Sequence, residues 1–130
     1  MLKRLNIPLF LLTLSLFMTG GAGLITEYVL ATVSSYILGS SIEQFSVTLA
    51  IMMGFMGVGG YVQKYVNDNN LIEKFIILEL ILAVLTAFSP IAIYAAFGMD
   101  NFNLVYYSFT ASIGFLVGFE IPFITRINTE

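Results

Sequence analysis

The stretch IEKFIILELILAVLTAFSPIAIYAAF, residues 72–97, decides the class of this protein. A helix needs about 20 mostly apolar residues, each rising about 1.5 Å, to cross the roughly 30 Å hydrocarbon core of a bilayer. After Lys74 this stretch contains a single charged residue, Glu79. It therefore predicts a transmembrane helix, and more stretches of the same kind lie on both sides of it.

Four such spans cover nearly the whole chain: residues 7–38, 44–62, 72–97 and 102–125. The links at 39–41, 67–70 and 98–101 are short and rich in Gly, Ser and Asn, which are typical turn residues. Because the links are short, neighbouring helices must be antiparallel. We therefore predict an all-α polytopic membrane protein, with residues 1–130 forming one transmembrane domain of four antiparallel helices.

The composition agrees with this class and excludes several functions. Of the 130 residues, 58% are apolar and 10% are charged, against about 25% charged in ordinary soluble domains. The chain contains no Cys and no His, so it lacks the usual ligands for zinc or haem and the imidazole of a serine triad. We expect the lipid bilayer as a partner, and no nucleic acid, metal, cofactor or catalytic residue.

The five basic residues predict the orientation in the membrane. Lys3 and Arg4 precede the first span, Lys64 and Lys74 flank the second link, and Arg126 follows the fourth span. With four antiparallel spans, all five lie on one side. Because basic residues are enriched on the cytoplasmic side, we predict that both termini lie in the cytoplasm.

The first span is longer than one bilayer crossing requires. Its thirty-odd residues would reach roughly 45 Å as a helix, so it must tilt, extend beyond the membrane or break. Gly20, Gly21 and Gly23 mark the natural place for a bend or for the close approach of a neighbouring helix, and a discontinuous helix lining a site is the alternative. The start of the chain also fits a signal peptide, but the apolar sequence resumes at once after Gly23 and favours an uncleaved helix.

Glycines and prolines in the other spans predict packing surfaces and kinks. Gly54, Gly57 and Gly60 follow one another at three-residue steps and form a smooth ridge on one helix face. Pro90 and Pro122 lie inside the third and fourth spans, where they should kink the helices. We expect such smooth faces to pack in a homo-oligomer or a larger membrane complex.

Three carboxylates, Glu27, Glu79 and Glu120, lie within the spans. Charged groups in spans are costly and are usually functional or paired. From the helical rise, Glu79 and Glu120 are about 8 and 9 Å inside the cytoplasmic boundary. They either form a site, reach the interface, or pair with one of the basic residues Lys64, Lys74 and Arg126. Glu27 is roughly 16 Å deep with no basic residue at its level, so it requires a proton, a hydrogen bond, a water-filled cavity or an outside partner.

Two stretches resemble one known family. TEYVLATVSSYILGSSIEQFSVTLAIMMGFMGVGGYVQKYV, residues 26–66, resembles the first helix pair of bacterial membrane-bound spermidine synthase-like proteins. GFEIPFITRI, residues 118–127, resembles the fourth helix of that family, with its Gly-x-Glu-x-Pro-x-x-x-Arg pattern. The positions that match are Glu27, Tyr28, Glu120, Pro122 and Arg126.

The resemblance implies a multi-helix membrane region joined to a cytoplasmic aminopropyltransferase domain that uses decarboxylated S-adenosylmethionine and putrescine. No Gly-rich nucleoside-binding turn and no Asp-bearing amine site of such a domain is found in this sequence. We therefore expect the catalytic domain to be absent from this chain, and no catalytic residue is transferred from the family.

Three functions are consistent with these patterns. The first is a non-catalytic membrane module that binds or passes polyamines or other cations, with Glu27, Tyr28, Glu79 and Glu120 as candidate ligand-binding residues. The second is a small proton-coupled transporter that acts as a dimer, as small multidrug exporters do, although their short first span and aromatic pattern are not evident. The third is a structural subunit of a larger membrane complex.

Overall fold

The computed structural model describes residues 6–66, 70–99 and 101–129, with side chains from residue 10 to residue 126 within those ranges. The described residues form four α-helices: α1 (Asn6–Leu38), α2 (Ser41–Gln63), α3 (Leu71–Ala95) and α4 (Phe102–Thr129). All four are long and apolar enough to cross a membrane. The predicted all-α fold of four helices, each long and apolar enough to span a membrane, is therefore confirmed. Lys3 and Arg4 lie outside the described residues, and the orientation of the termini stays a prediction.

Residues with positive φ stand at the helix boundaries. Gly39, with φ of +82°, follows α1, and its N–H donates to the Ser35 carbonyl at 2.9 Å. Gly98, with φ of +88°, lies in the turn after α3, and Asn70 precedes α3 in the left-handed region. Left-handed residues end helices by redirecting the chain without a clash. The described residues of the links therefore have the turn chemistry that the sequence predicts, whereas residues 67–69 and Asp100 lie outside the described residues.

Contacts between α2 and α4 show that these two helices are parallel. Gly114 lies against the backbone of Met52, and further along both helices Arg126 donates to the carbonyl of Gln63. The residue numbers rise together along the interface. Since one helix, α3, separates them in the chain, this is the arrangement expected of an alternating up-and-down bundle.

The contacts between α1 and α3 advance in the same sense. Thr19 of α1 lies beside Glu79 of α3, and residues 25–29 form a groove with residues 86–90 nearer the other end. The helix α4 is the most buried of the four. The main core consists of apolar side chains on or around it: Leu30, Met52, Leu82, Ile93, Ala96, Phe102, Tyr106, Ile113 and Val117.

Three glycines bring the backbones of α2 and α4 into direct contact. A Cβ on Gly118 would lie 2.5 Å from the Cα of Met56, and a Cβ on Gly114 would lie 2.6 Å from the carbonyl oxygen of Met52. Gly59 of α2 lies equally close to the backbone of α4. Small residues permit this close approach, which is a major source of stability between helices in lipid.

The glycines that the sequence predicts as packing or hinge positions differ in how closely a neighbouring helix approaches them. A Cβ on Gly60 would lie 3.3 Å from the Gly118 carbonyl, and one on Gly23 would lie 3.7 Å from Val117. Four others have open space where a Cβ would stand: Gly20, Gly21, Gly54 and Gly57. The helix α1 continues through residues 20–23 without interruption, so the structure does not contain the discontinuous first helix considered as an alternative.

Both internal prolines leave a carbonyl without its helical donor. Pro90 has no N–H for the carbonyl of Thr86, and the Ser89 hydroxyl donates to that carbonyl instead, at 3.0 Å. Pro122 likewise leaves the carbonyl of Gly118, which faces α2 at the glycine contact. Another group therefore lies beside each freed carbonyl: the Ser89 hydroxyl beside that of Thr86, and Gly60 of α2 beside that of Gly118.

Candidate carboxyl-pair site

Two of the three carboxylates singled out in the sequence meet in the structure. Glu79 of α3 and Glu120 of α4 have their carboxyl groups within hydrogen-bonding distance of each other. The Glu120 side chain is fully buried, at 2% exposed, and Glu79 is half-buried. A hydrogen bond between two carboxyl groups requires a proton on one of them, because an ionised carboxylate only accepts. We call this arrangement the carboxyl pair.

Each member of the carboxyl pair has one buried oxygen that receives no N–H or hydroxyl hydrogen bond from the part of the chain that the structure describes. Oε2 of Glu79 and Oε1 of Glu120 are buried, and no N–H or hydroxyl group among the residues that the structure describes donates to either. Buried polar atoms are nearly always satisfied by a partner, so each exception requires an explanation. Two buried carboxyl groups that lack such donors are suited to a donor-rich ligand.

Thr19 of α1 completes the polar cluster. Its hydroxyl oxygen lies 2.5 Å from Oε1 of Glu79 and 2.9 Å from the carbonyl of Ser15. A hydroxyl has only one proton to donate. When Thr19 donates to Ser15, the contact with Glu79 is a hydrogen bond only if Glu79 donates its own proton to Thr19. The sequence did not single out Thr19, since threonine in a membrane helix commonly bonds only to its own helix.

A groove leads from the surface to this cluster. It lies between α1 and α3 and encloses a volume of about 210 Å³. Its lining is apolar except for Thr19, Glu79 and Thr86, and consists of Met18, Thr19, Ala22, Gly23, Glu79, Leu82, Ala83 and Thr86. Ala22 and Gly23 leave room here because their side chains are small. Glu79 is the member of the carboxyl pair that lines the groove.

Two of the basic residues considered as ion-pair partners contact other groups. Arg126 donates from Nη1 to the carbonyl of Gln63 at 3.2 Å and from Nη2 to the carbonyl of Val66 at 2.9 Å. A cation at the C-terminal end of a helix satisfies carbonyls that have no helical donor. The ammonium of Lys64 lies 3.4 Å above the ring of Tyr61. Arg126 therefore joins the end of α4 to the end of α2.

Glu27 and Tyr28 occupy a different groove. This groove encloses about 200 Å³ between α1 and α2, and its lining consists of Leu24, Glu27, Tyr28, Ala31, Phe45 and Leu49. Glu27 is half-buried and makes no hydrogen bond with the residues that the structure describes. Tyr28 is largely exposed, and its ring meets that of Phe45 edge to face at 5.8 Å. The structure thus separates Glu27 from the carboxyl pair, because α1 presents Thr19 toward α3 and Glu27 toward α2.

The fold and this site define a membrane-spanning four-helix region with a buried carboxyl pair beside an open groove. Over about nine-tenths of its length, the chain is homologous to part of the polyamine aminopropyltransferases. It is 40% identical over 118 residues to polyamine aminopropyltransferase 2 of Aquifex aeolicus (strain VF5), which is 90% of this chain and 24% of that protein.

Other bacterial relatives agree. Polyamine aminopropyltransferase 2 of Ralstonia nicotianae is 37% identical over 119 residues, which cover 90% of this chain and 23% of that protein. Polyamine aminopropyltransferase 1 of Streptomyces coelicolor is 32% identical over 126 residues, 93% of this chain and 24% of that protein. The chain thus spans about a quarter of the length of these curated relatives. No protein-family model and no solved structure matches the chain. The resemblance predicted from the sequence is confirmed.

Proposed function

We propose that this four-helix region is a non-catalytic membrane module related to the membrane part of polyamine aminopropyltransferases, and that it binds organic ammonium ions, polyamines included. The observation that supports this function best is the carboxyl pair: the buried Glu120 and the half-buried Glu79 in contact, beside an open groove. We place the module in the bacterial inner membrane with both termini in the cytoplasm, since all five basic residues then lie on that side.

The chemistry of the carboxyl pair suits an ammonium group. A primary ammonium has three N–H donors and no acceptor. Glu79 lines the groove, and no N–H or hydroxyl group of the described residues donates to its Oε2, so this carboxyl group is available to accept from the ammonium. Charge-assisted hydrogen bonds of this kind are roughly twice as strong as neutral ones.

The walls of the groove suit the remainder of such a ligand. Ala22, Leu82 and Ala83 are apolar and line the groove on both helices. Apolar walls with a few polar groups at one end are the usual form of a small-molecule site. An aliphatic chain would contact these walls while its ammonium group reaches Glu79. Polyamines are aliphatic chains of this type, and the relatives are named for acting on polyamines.

Binding of radiolabelled spermidine to the full chain in detergent tests this function. Removing either charge with Glu79→Gln or Glu120→Gln should weaken binding by at least about tenfold, which corresponds to about 1.4 kcal/mol. Glu27→Gln is the matched control, since it removes a carboxylate of the same chain from the other groove. We expect the control to bind within about twofold of the wild type.

Two results would contradict the proposal. The first is spermidine binding that is unchanged in both Glu79→Gln and Glu120→Gln. The second is a loss in Glu27→Gln as large as that in the other two variants, because the ligand would then bind between α1 and α2 rather than at the carboxyl pair.

A further inference from the structure

Groups from three helices face the carboxyl pair. From α1 the Thr19 hydroxyl faces the pair, and from α3 and α4 each carboxyl faces the other. Glu27 on α1 lies in the groove toward α2, and Lys64 after α2 lies over an aromatic ring. On α3 and α4 the other charged side chains are Glu73 and Lys74, six and five residues before Glu79, and Arg126, six residues after Glu120.

Net charge in such surroundings is costly. An isolated charge taken out of water loses its solvation, and groups respond by changing their protonation state instead. Two carboxyl groups in contact disfavour the state in which both are ionised. Without a bound ligand, the carboxyl pair is neutral when each carboxyl group keeps its proton. With one ammonium group bound, it is neutral when one carboxyl has lost its proton.

We propose that the carboxyl pair is a proton-exchange site, in which one carboxyl proton leaves for water each time one ammonium group binds. The inference deepens the proposed function and rests on it. The O–H bond of one carboxyl group breaks, its proton passes to water, and the carboxylate formed accepts an N–H hydrogen bond from the ammonium. The charge of the site is the same before and after.

The structure provides a path for this exchange. Glu79 lines the groove of about 210 Å³, whereas Glu120 lies behind it and is fully buried. The Thr19 hydroxyl stands beside Glu79, with its oxygen 2.5 Å from Oε1. Ligand and proton therefore use the same groove, and Glu79 is the member of the pair that lines it.

Calorimetry with butylammonium as the probe measures the exchange directly. The full chain in detergent is titrated at one pH in buffers of different ionisation enthalpy. The slope of the observed binding enthalpy against the ionisation enthalpy of the buffer gives the number of protons released. We expect about one proton per bound butylammonium, and a Kd that weakens by up to about tenfold for each unit decrease in pH, as linkage requires for a one-to-one exchange. The control Glu27→Gln should give the same proton count.

Variants of the pair distinguish this site from any other. The double variant with Glu79→Gln and Glu120→Gln should lose both binding and proton release, with circular dichroism and elution volume confirming its fold. Each single variant keeps one carboxyl group, so it should bind at least about tenfold more weakly and still release about one proton. The single variants decide the question if the double variant does not fold.

The outcomes separate the two proposals. Butylammonium binding to the wild type with no proton released would overturn the exchange and leave the cation site intact. Absence of binding to the wild type, for both butylammonium and spermidine, would overturn the cation site and the exchange together. Unchanged affinity in both single variants would place the ligand elsewhere and overturn the inference.

Discussion

Gly118→Ala tests the glycine contact between α2 and α4. A Cβ built on Gly118 lies 2.5 Å from both the Cα and the carbonyl carbon of Met56, whereas ordinary contacts of this kind begin at 3.4 Å. The difference, 3.4 minus 2.5, is 0.9 Å. The obstacle is backbone rather than a flexible side-chain end, and the Met56 carbonyl oxygen lies closer still, so the two helices must separate locally by at least this amount.

The cost of that separation can be estimated. A gap of about 0.5–1 Å forfeits a quarter to a half of the dispersion energy of the atoms that face it. Overpacking of a well-packed interior typically costs about 1–3 kcal/mol. We expect Gly118→Ala to lower the free energy of unfolding by an amount in this range, measured by titrating the detergent-solubilised protein with sodium dodecyl sulfate and following helix content by circular dichroism.

Gly57→Ala is the matched control on the same helix pair. A Cβ on Gly57 meets nothing within 4 Å, and alanine is a better helix former than glycine by up to about 1 kcal/mol. The control should therefore be as stable as the wild type or slightly more stable. The reasoning is refuted if Gly118→Ala unfolds at the wild-type midpoint, or if the control loses as much stability.

Two further predictions concern Pro90 of α3 and the orientation in the membrane. Ser89→Ala removes the hydroxyl that donates to the Thr86 carbonyl and should lower the free energy of unfolding by about 1 kcal/mol. In a Pro90→Ala background, where alanine restores the backbone donor, the same change should lower it much less. Equal losses in the two backgrounds, measured by sodium dodecyl sulfate titration, would contradict this. An alkaline phosphatase reporter, which is active only outside the cytoplasm, should be active when fused in the link after α1 and inactive when fused after α4, and the reverse result would contradict the predicted orientation.

The resemblance to polyamine aminopropyltransferases was visible in residues 26–66 and 118–127, and the comparisons bear it out. Part of the site could also be anticipated. Glu79 and Glu120 were expected at a similar depth, counted from the basic residues near each, and the structure brings their carboxyl groups together. Thr19 could not be anticipated, because nothing in the sequence connects it with a residue sixty positions further on. Glu27 drew attention through its depth, yet the structure leaves it apart from the pair.

The glycines show the same limit. The regular spacing of Gly54, Gly57 and Gly60 predicted a packing ridge, but the closest backbone contacts are made by Gly59, Gly114 and Gly118. Apolar residues lie all around each of these helices, so apolarity does not mark the side that packs. In lipid the outside of a helix is as apolar as its packed face, and no hydrophobic force distinguishes the two.

The sequence by itself determined the number of spans and their alternating directions, because apolar length and short links are properties of a chain that must cross a bilayer of fixed thickness. The tertiary structure alone decided which faces meet, and so which carboxyl groups share a site. That choice depends on the fit of small side chains and backbones between helices. Such a fit is a property of two surfaces together, so the sequence of one helix does not reveal it.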